Sequence, residues 1–157
     1  LVVAMLGRPQ RVTPYLRRTW SDKDRLFDNG LAVLEYAAAT ATIRTAVVEV
    51  DGFRRRQFVV CGDAGTVDVR PIEPAWGKPQ SARLQLTLSE ARGRFHAGTQ
   101  EVEFPVPAGR YDDQIAEFAR NVRGEIANPY SAEHELIVQQ ALLEASGCGP
   151  APTMGDA

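Results

Sequence analysis

Reactive side chains are few in this sequence, and none forms a plausible base–nucleophile pair. There are two histidines, His96 and His134. His96 lies in Arg92-Gly93-Arg94-Phe95-His96-Ala97-Gly98, a turn-like stretch expected to face solvent, and His134 falls in the first turn of a helix. Hydrolytic catalysis therefore finds no support, and a histidine-based metal site finds little. Cys61 and Cys148 are far apart and make no metal or redox motif. Cys61 sits in an apolar strand and is expected to be a small buried thiol. The polar residues of most interest lie among the strands. Arg44 stands between β-branched residues, with Thr42 and Ala46 on its face. A guanidinium there could clamp a substrate oxygen or carboxylate, or belong simply to the solvated face of a sheet. Phe53, Arg54 and Arg55 crowd a turn, and Asp28 and Asn29 open a strand, where as turn formers they need no function.

The secondary structure that carries these residues changes character along the chain. Leu1–Leu6 is apolar and Gly7-Arg8-Pro9 reads as a helix C-terminus, so the chain opens inside a helix whose earlier part is expected to be missing. Residues 12–20 are β-prone, and Pro14 places them at a strand's start or at an edge. Strands follow at 31–36 and 40–50, joined by an alanine-rich connection. Asp51-Gly52 signals a tight hairpin into a strand at 56–61. Gly62-Asp63-Ala64-Gly65 turns into 66–70, and the prolines of 71–80 mark a loop. Leu84, Leu86 and Leu88 alternate with polar residues, as do Val102, Phe104 and Val106, each a half-buried strand. Ile115, Phe118, Ala119 and Val122 then repeat at helical spacing. Ser131 caps a last helix with Glu133 and Glu135 in its first turn, and the tail is loose from about Gly149. In that helix Ile137, Val138, Ala141, Leu142 and Ala145 make one apolar face. Leu136 and Leu143 make a second stripe, which is either covered on both sides or left exposed at an end helix. The pattern predicts an α+β domain: an open-faced, mainly antiparallel sheet of roughly six or seven strands with helices packed on one face.

Composition bounds the function. At 157 residues with 44% hydrophobic content the chain can bury a core as one domain. A net charge of −2 gives no reason to expect a nucleic acid or an anionic membrane as partner. The arginine excess, with Lys23 and Lys78 the only lysines, fits codon bias better than phosphate recognition. No run approaches the 18 or so apolar residues of a membrane span, and nothing resembles a signal peptide, so a cytoplasmic protein is expected.

The order of motifs resembles one family. A helix end with Leu-Gly-x-Pro is followed by Asp28-Asn29 before Leu31-Ala32-Val33-Leu34-Glu35-Tyr36, then Ala41-Thr42-Ile43-Arg44-Thr45. Next come Phe58-Val59-Val60-Cys61-Gly62-Asp63-Ala64-Gly65-Thr66, Arg110-Tyr111-Asp112-Asp113-Gln114 with Phe118, and Pro129-Tyr130-Ser131-Ala132-Glu133-His134. Together these resemble the C-terminal domain of the Gfo/Idh/MocA oxidoreductases, over residues 1 to about 147, with 148–157 as a flexible tail. Ala37-Ala38-Ala39 departs from the family's frequent Asn-Gly turn.

The resemblance implies an N-terminal Rossmann domain, absent from this chain, that binds NAD or NADP. It also implies upstream catalytic residues: the lysine of a Glu-Lys-Pro motif and a histidine on the helix that Leu1–Leu6 completes. No Gly-x-Gly-x-x-Gly opens a helix here, so the domain alone is expected to bind no cofactor and to be inactive. The substrate implied is a sugar, polyol or related compound. The resemblance places Asp28 and Asn29 near the cleft and brings the Phe53, Arg54 and Arg55 loop toward substrate; Arg44 remains a candidate on its own residues. It also implies a homo-oligomer through the polar sheet face of Arg83, Gln85 and Thr87, with Arg44 and Thr42 as further candidates. Two other readings stand beside it: a non-enzymatic α+β binding or assembly module using its open sheet face, and a small self-contained enzyme, which the missing acid–base pair disfavours.

Overall fold

The computed structural model describes residues 1–19, 26–72, 81–105 and 111–149, with 81, 82 and 105 described by backbone alone. The elements in chain order are α1 (Val2–Leu6), β1 (Arg11–Arg17), β2 (Asn29–Glu35), β3 (Thr40–Ala46), α2 (Gly52–Arg55), β4 (Phe58–Gly62), β5 (Gly65–Val69), β6 (Ser81–Leu88), β7 (Gly98–Pro105), α3 (Asp112–Val122) and α4 (Ala132–Ala145). The architecture is α+β, with every described strand pairing antiparallel. These strands form two sheets, β1-β2-β3 and β4-β5-β6-β7. The chain divides accordingly into two compact units, Leu1–Glu49 with Ala127–Ala157, and Val50–Ile126.

In the first unit β2 is the central strand and alternates sharply. Gly30, Ala32 and Leu34 are buried, whereas Leu31, Val33 and Glu35 are not. Strand register aligns the inward row of β2 with Val12, Pro14 and Leu16 of β1 and with Ala41, Ile43 and Thr45 of β3. Helix α4 covers this side, packing on β1, β2 and α1. Pro14 sits on an edge strand, where its missing N–H breaks no ladder. Gly7 ends α1 with φ 75 and donates its N–H to the Val3 carbonyl at 2.8 Å, a backbone that glycine adopts without strain. Ser131 caps α4, its Oγ accepting from the His134 N–H at 3.1 Å. The buried stripe of α4 is narrow. Ala141 is buried and Ile137 and Ala145 half-buried, while Leu136, Leu142, Leu143 and Val138 stay exposed. Val138 and Leu142, expected on the inner face, thus lie outside it.

The second unit is a four-stranded meander closed at one end by a two-residue turn, with Gly62 opposite Gly65. Gly65 is required there, because a Cβ would stand 2.3 Å from the Thr87 carbonyl oxygen of the neighbouring strand. Phe58, Val60, Val67, Val69, Leu84, Leu86, Leu88 and Val102 share one half-buried face by register. Val59, Cys61, Thr66, Asp68, Arg83, Gln85, Thr87, Thr99, Glu101 and Glu103 share the other. The Cys61 thiol is therefore exposed, contrary to expectation: Phe58 and Val60 take the apolar parity, and period-two alternation turns Cys61 outward.

Two further expectations change. The hairpin at Asp51-Gly52 does not form. β3 ends at Ala46, β4 pairs with β5, and Asp51, at φ 53, starts the single turn of α2. The positive φ that the sequence signalled is present, but it serves a helix start. Helix α3 has the expected period, yet Ile115, Phe118 and Val122 are 65%, 69% and 70% exposed. The expected Val106 falls outside the described residues, as does the loop at 73–80.

Leu34, at 2% exposure, is the most deeply buried side chain described. Leu34→Ala is expected to cost about 2–5 kcal/mol, read from the urea midpoint at unchanged slope. Tyr36 gives the opposite sign: its hydroxyl is shielded without a hydrogen-bond partner, and burial pushes its pKa up from 10.0. Since only the unfolded phenol ionises readily, stability is lost as pH rises past the ordinary tyrosine range. Tyr36→Phe is expected to keep or raise stability by about 1 kcal/mol and to flatten that alkaline decline in pH-dependent urea melts.

Candidate functional site

Asp28, Asn29 and Arg44 come together at one end of the three-stranded sheet. Asp28 precedes β2 and ties all three strands: its N–H donates to the Arg17 carbonyl at 3.2 Å and its carbonyl accepts from the Val47 N–H at 2.8 Å. Its carboxylate is already engaged, accepting from the Thr19 N–H at 2.9 and 2.8 Å and from the Thr19 hydroxyl at 2.7 Å. Asp28 therefore ties Thr19, just past β1, to the start of β2. Asn29 pairs with Arg17 and Ala46 and is half-buried.

Arg44 lies opposite Leu31, which in turn lies opposite Tyr15, so the three form one row across the sheet face turned away from α4. The Arg44 side chain is 61% exposed and pairs loosely with Glu49 at 3.9 Å. The row offers a phenol ring, an aliphatic patch and a guanidinium, with Thr13, Val33 and Thr42 in the next row. Such a surface can stack on a flat apolar face and hold an oxygen or carboxylate at its arginine end. Sequence reasoning found Arg44 but not the row; the pairing Tyr15–Leu31–Arg44 emerges only from register.

Phe53, Arg54 and Arg55 belong to α2 in the other unit. Arg56 stacks over the Phe53 ring at 4.5 Å, and Arg54 pairs with Asp51 at 3.7 Å. The two histidines take no part. His96 shares its Nδ1 with the Ala97 carbonyl at 2.8 Å, and His134 stacks on Tyr130 with ring centroids 5.4 Å apart. Among the described residues no group of three histidines, cysteines or carboxylates is placed to hold a metal, and no helix is long and apolar enough to cross a membrane. A recess of about 30 Å³ lies between Arg8, Gln140 and Glu144, room for about one water and too small for a substrate.

The sequence matches no established family profile and no curated protein. Solved structures do share its fold. A protein from Klebsiella pneumoniae, provisionally described as an oxidoreductase, superposes with a TM-score of 0.62 at 22% identity, over 94% of this chain and 43% of that one. The Bacillus subtilis protein yvaA, described in the same provisional terms, gives 0.58 at 18%, over 94% and 46%. A Yersinia pestis protein so described gives 0.56 at 16%, over 99% and 47%. At these identities the likeness is one of fold. The chain spans under half the length of each of these three proteins.

The two candidate roles separate by stability. Asp28→Ala removes a half-buried carboxylate with three hydrogen bonds and is expected to cost about 1.5–3 kcal/mol in chemical denaturation. Arg44→Ala removes only an exposed pair and is expected to shift stability by less than about 0.5 kcal/mol.

Proposed function

We propose that residues 1–147 are the C-terminal, substrate-binding and oligomerisation domain of an NAD(P)-dependent oxidoreductase of the Gfo/Idh/MocA type, with 148–157 as its tail. The observation that carries this is the lopsided coverage: nearly all of this chain superposes on under half of proteins described provisionally as oxidoreductases. The motif order from Asp28 to His134 supports the same reading. In it a Rossmann domain preceding Leu1 holds the dinucleotide and the catalytic lysine and histidine, and this domain forms one wall of the cleft in a cytoplasmic enzyme. The cofactor carries the hydride, and the protein supplies orientation and a proton path. Arg44 would meet a hydroxyl or carbonyl oxygen of a sugar or polyol, with Asn29 near it at the end of the same sheet; Phe53, Arg54 and Arg55 are separate substrate-binding candidates on the other unit.

Calorimetric titration with NAD(H) and NADP(H) tests the division of labour. The isolated chain is expected to bind neither, and the complete gene product to bind one of them. In that product Arg44→Ala is expected to raise KM about tenfold, the loss of one charge-assisted hydrogen bond, with little change in kcat. Dinucleotide binding by the isolated chain, or by no form of the protein, overturns the reading.

A further inference from the structure

The turn at α2 is rich in donors and poor in acceptors. Arg54, Arg55 and Arg56 are consecutive, and all three are exposed. Asp51 is the only carboxylate from Val50 to Gln57. It stands 3.7 Å from the Arg54 Nε, longer than a hydrogen bond, in a pair whose side chains are 83% and 61% exposed. Codon bias accounts for how many arginines the chain has, but not for three in one turn of a chain whose net charge is −2. The turn is also braced. The Arg54 N–H donates to the Asp51 carbonyl at 3.2 Å, and the Ile72 N–H donates to the Arg56 carbonyl at 3.1 Å. The Arg56 guanidinium lies over the Phe53 ring at 4.5 Å, which steadies it beside its neighbours.

This inventory selects a ligand chemistry. A guanidinium carries five N–H donors and accepts nothing. Each hydroxyl of a neutral sugar brings a proton as well as lone pairs, and that proton needs an acceptor. Three arginines beside one aspartate serve such protons poorly. They suit a group that brings lone pairs and negative charge without protons. A carboxylate does so, and its two oxygens match the guanidinium fork. A phosphate is ordinarily cradled by backbone N–H groups as well, and here the Arg54 N–H is spent on Asp51.

We infer that the α2 turn takes the carboxylate of a polyhydroxy acid, so that the substrate of this site is a sugar acid and not a neutral sugar. The inference rests on the substrate-binding part of the function given above and names the class of substrate. Arg54 and Arg55 grip the carboxylate, and Arg56, held on Phe53, adds its charge.

Two-dimensional NMR of the 157-residue chain tests this, with gluconate, glucose and glucose 6-phosphate titrated at an ionic strength held constant with sodium chloride. Far-ultraviolet circular dichroism confirms that each variant folds. Gluconate is expected to shift the amide and guanidinium signals of residues 53–56 saturably, and glucose to leave them unmoved. The double substitution Arg54→Ala with Arg55→Ala is expected to weaken gluconate binding about tenfold or more. Arg54→Lys with Arg55→Lys is expected to restore only part of it, since the charge returns without the fork. Arg11→Ala, an exposed arginine on the other sheet, is expected to change nothing. Glucose that shifts these signals as strongly as gluconate, or gluconate that shifts none of them, overturns the sugar-acid class. Either result leaves the cleft-wall reading standing, because that reading fails only on its own dinucleotide titration. Glucose 6-phosphate bound in preference to gluconate overturns the carboxylate in favour of a phosphate. Gluconate binding that survives the double alanine substitution overturns the turn as its site.

Discussion

Side-chain parity in antiparallel strands, pinned by short connections, governs what every other part of this molecule can do. Once Gly62 faces Gly65 across a two-residue turn, every side chain of β4 and β5 is assigned to a face. The Gly65 backbone then runs so close to Thr87 that β6 is locked in register as well. In the other unit the four-residue connection 36–39 does the same for β2 and β3, closed by the Tyr36 N–H to the Ala39 carbonyl at 2.9 Å. A slip of one residue would expose Ala32 and Leu34 and drive Leu31, Val33 and Glu35 under α4. The hydrophobic cost of that exchange, about 25 cal/mol for each Å² of apolar surface returned to water, is what holds the register.

Parity also sorts the polar residues by role. Arg44 is displayed because Ile43 and Thr45 take the helix-covered side, and the row it makes with Leu31 and Tyr15 follows from pairing alone. Asp68 stands half-buried on the polar side because Val67 and Val69 take the apolar side. Asp28 lies just outside the ladder, where its carboxylate can bond Thr19 without competing with sheet hydrogen bonds. The same rule thus leaves Arg44 exposed on the open face and commits Asp28 to the fold.

Much of this was legible in the sequence. The alternation of Leu84, Leu86 and Leu88, the Gly62–Gly65 turn, the Ser131 cap and the edge placement of Pro14 are local signals, and each appears in the structure where its local chemistry puts it. What was not legible depends on tertiary context. Asp51-Gly52 carries the chemistry of a hairpin, but whether the flanking strands pair is decided by better partners elsewhere: β3 has β2, and β4 has β5. Cys61 looked buried because its neighbours are apolar, and only the parity set by Phe58 and Val60 shows it facing out. The apolar period of α3 was plain, while its exposure was not, since periodicity tells which residues share a face and not what lies opposite. Of the candidate site, the residue types were readable and their grouping was not. Asp28 and Asn29 join Arg44 through strand pairing, and the structure assigns Phe53, Arg54 and Arg55 to the other unit.

If this domain is a cleft wall whose cofactor is held by another part of the protein, the positions of the two ligands decide the matter. They can be read from a crystal structure of the complete gene product with dinucleotide and a bound polyol. The dinucleotide is then expected on residues outside 1–157, and the polyol within about 4 Å of Arg44 or of the Phe53, Arg54 and Arg55 turn. A dinucleotide seated on residues 1–157, or a polyol that touches none of these side chains, would refute the cleft-wall reading.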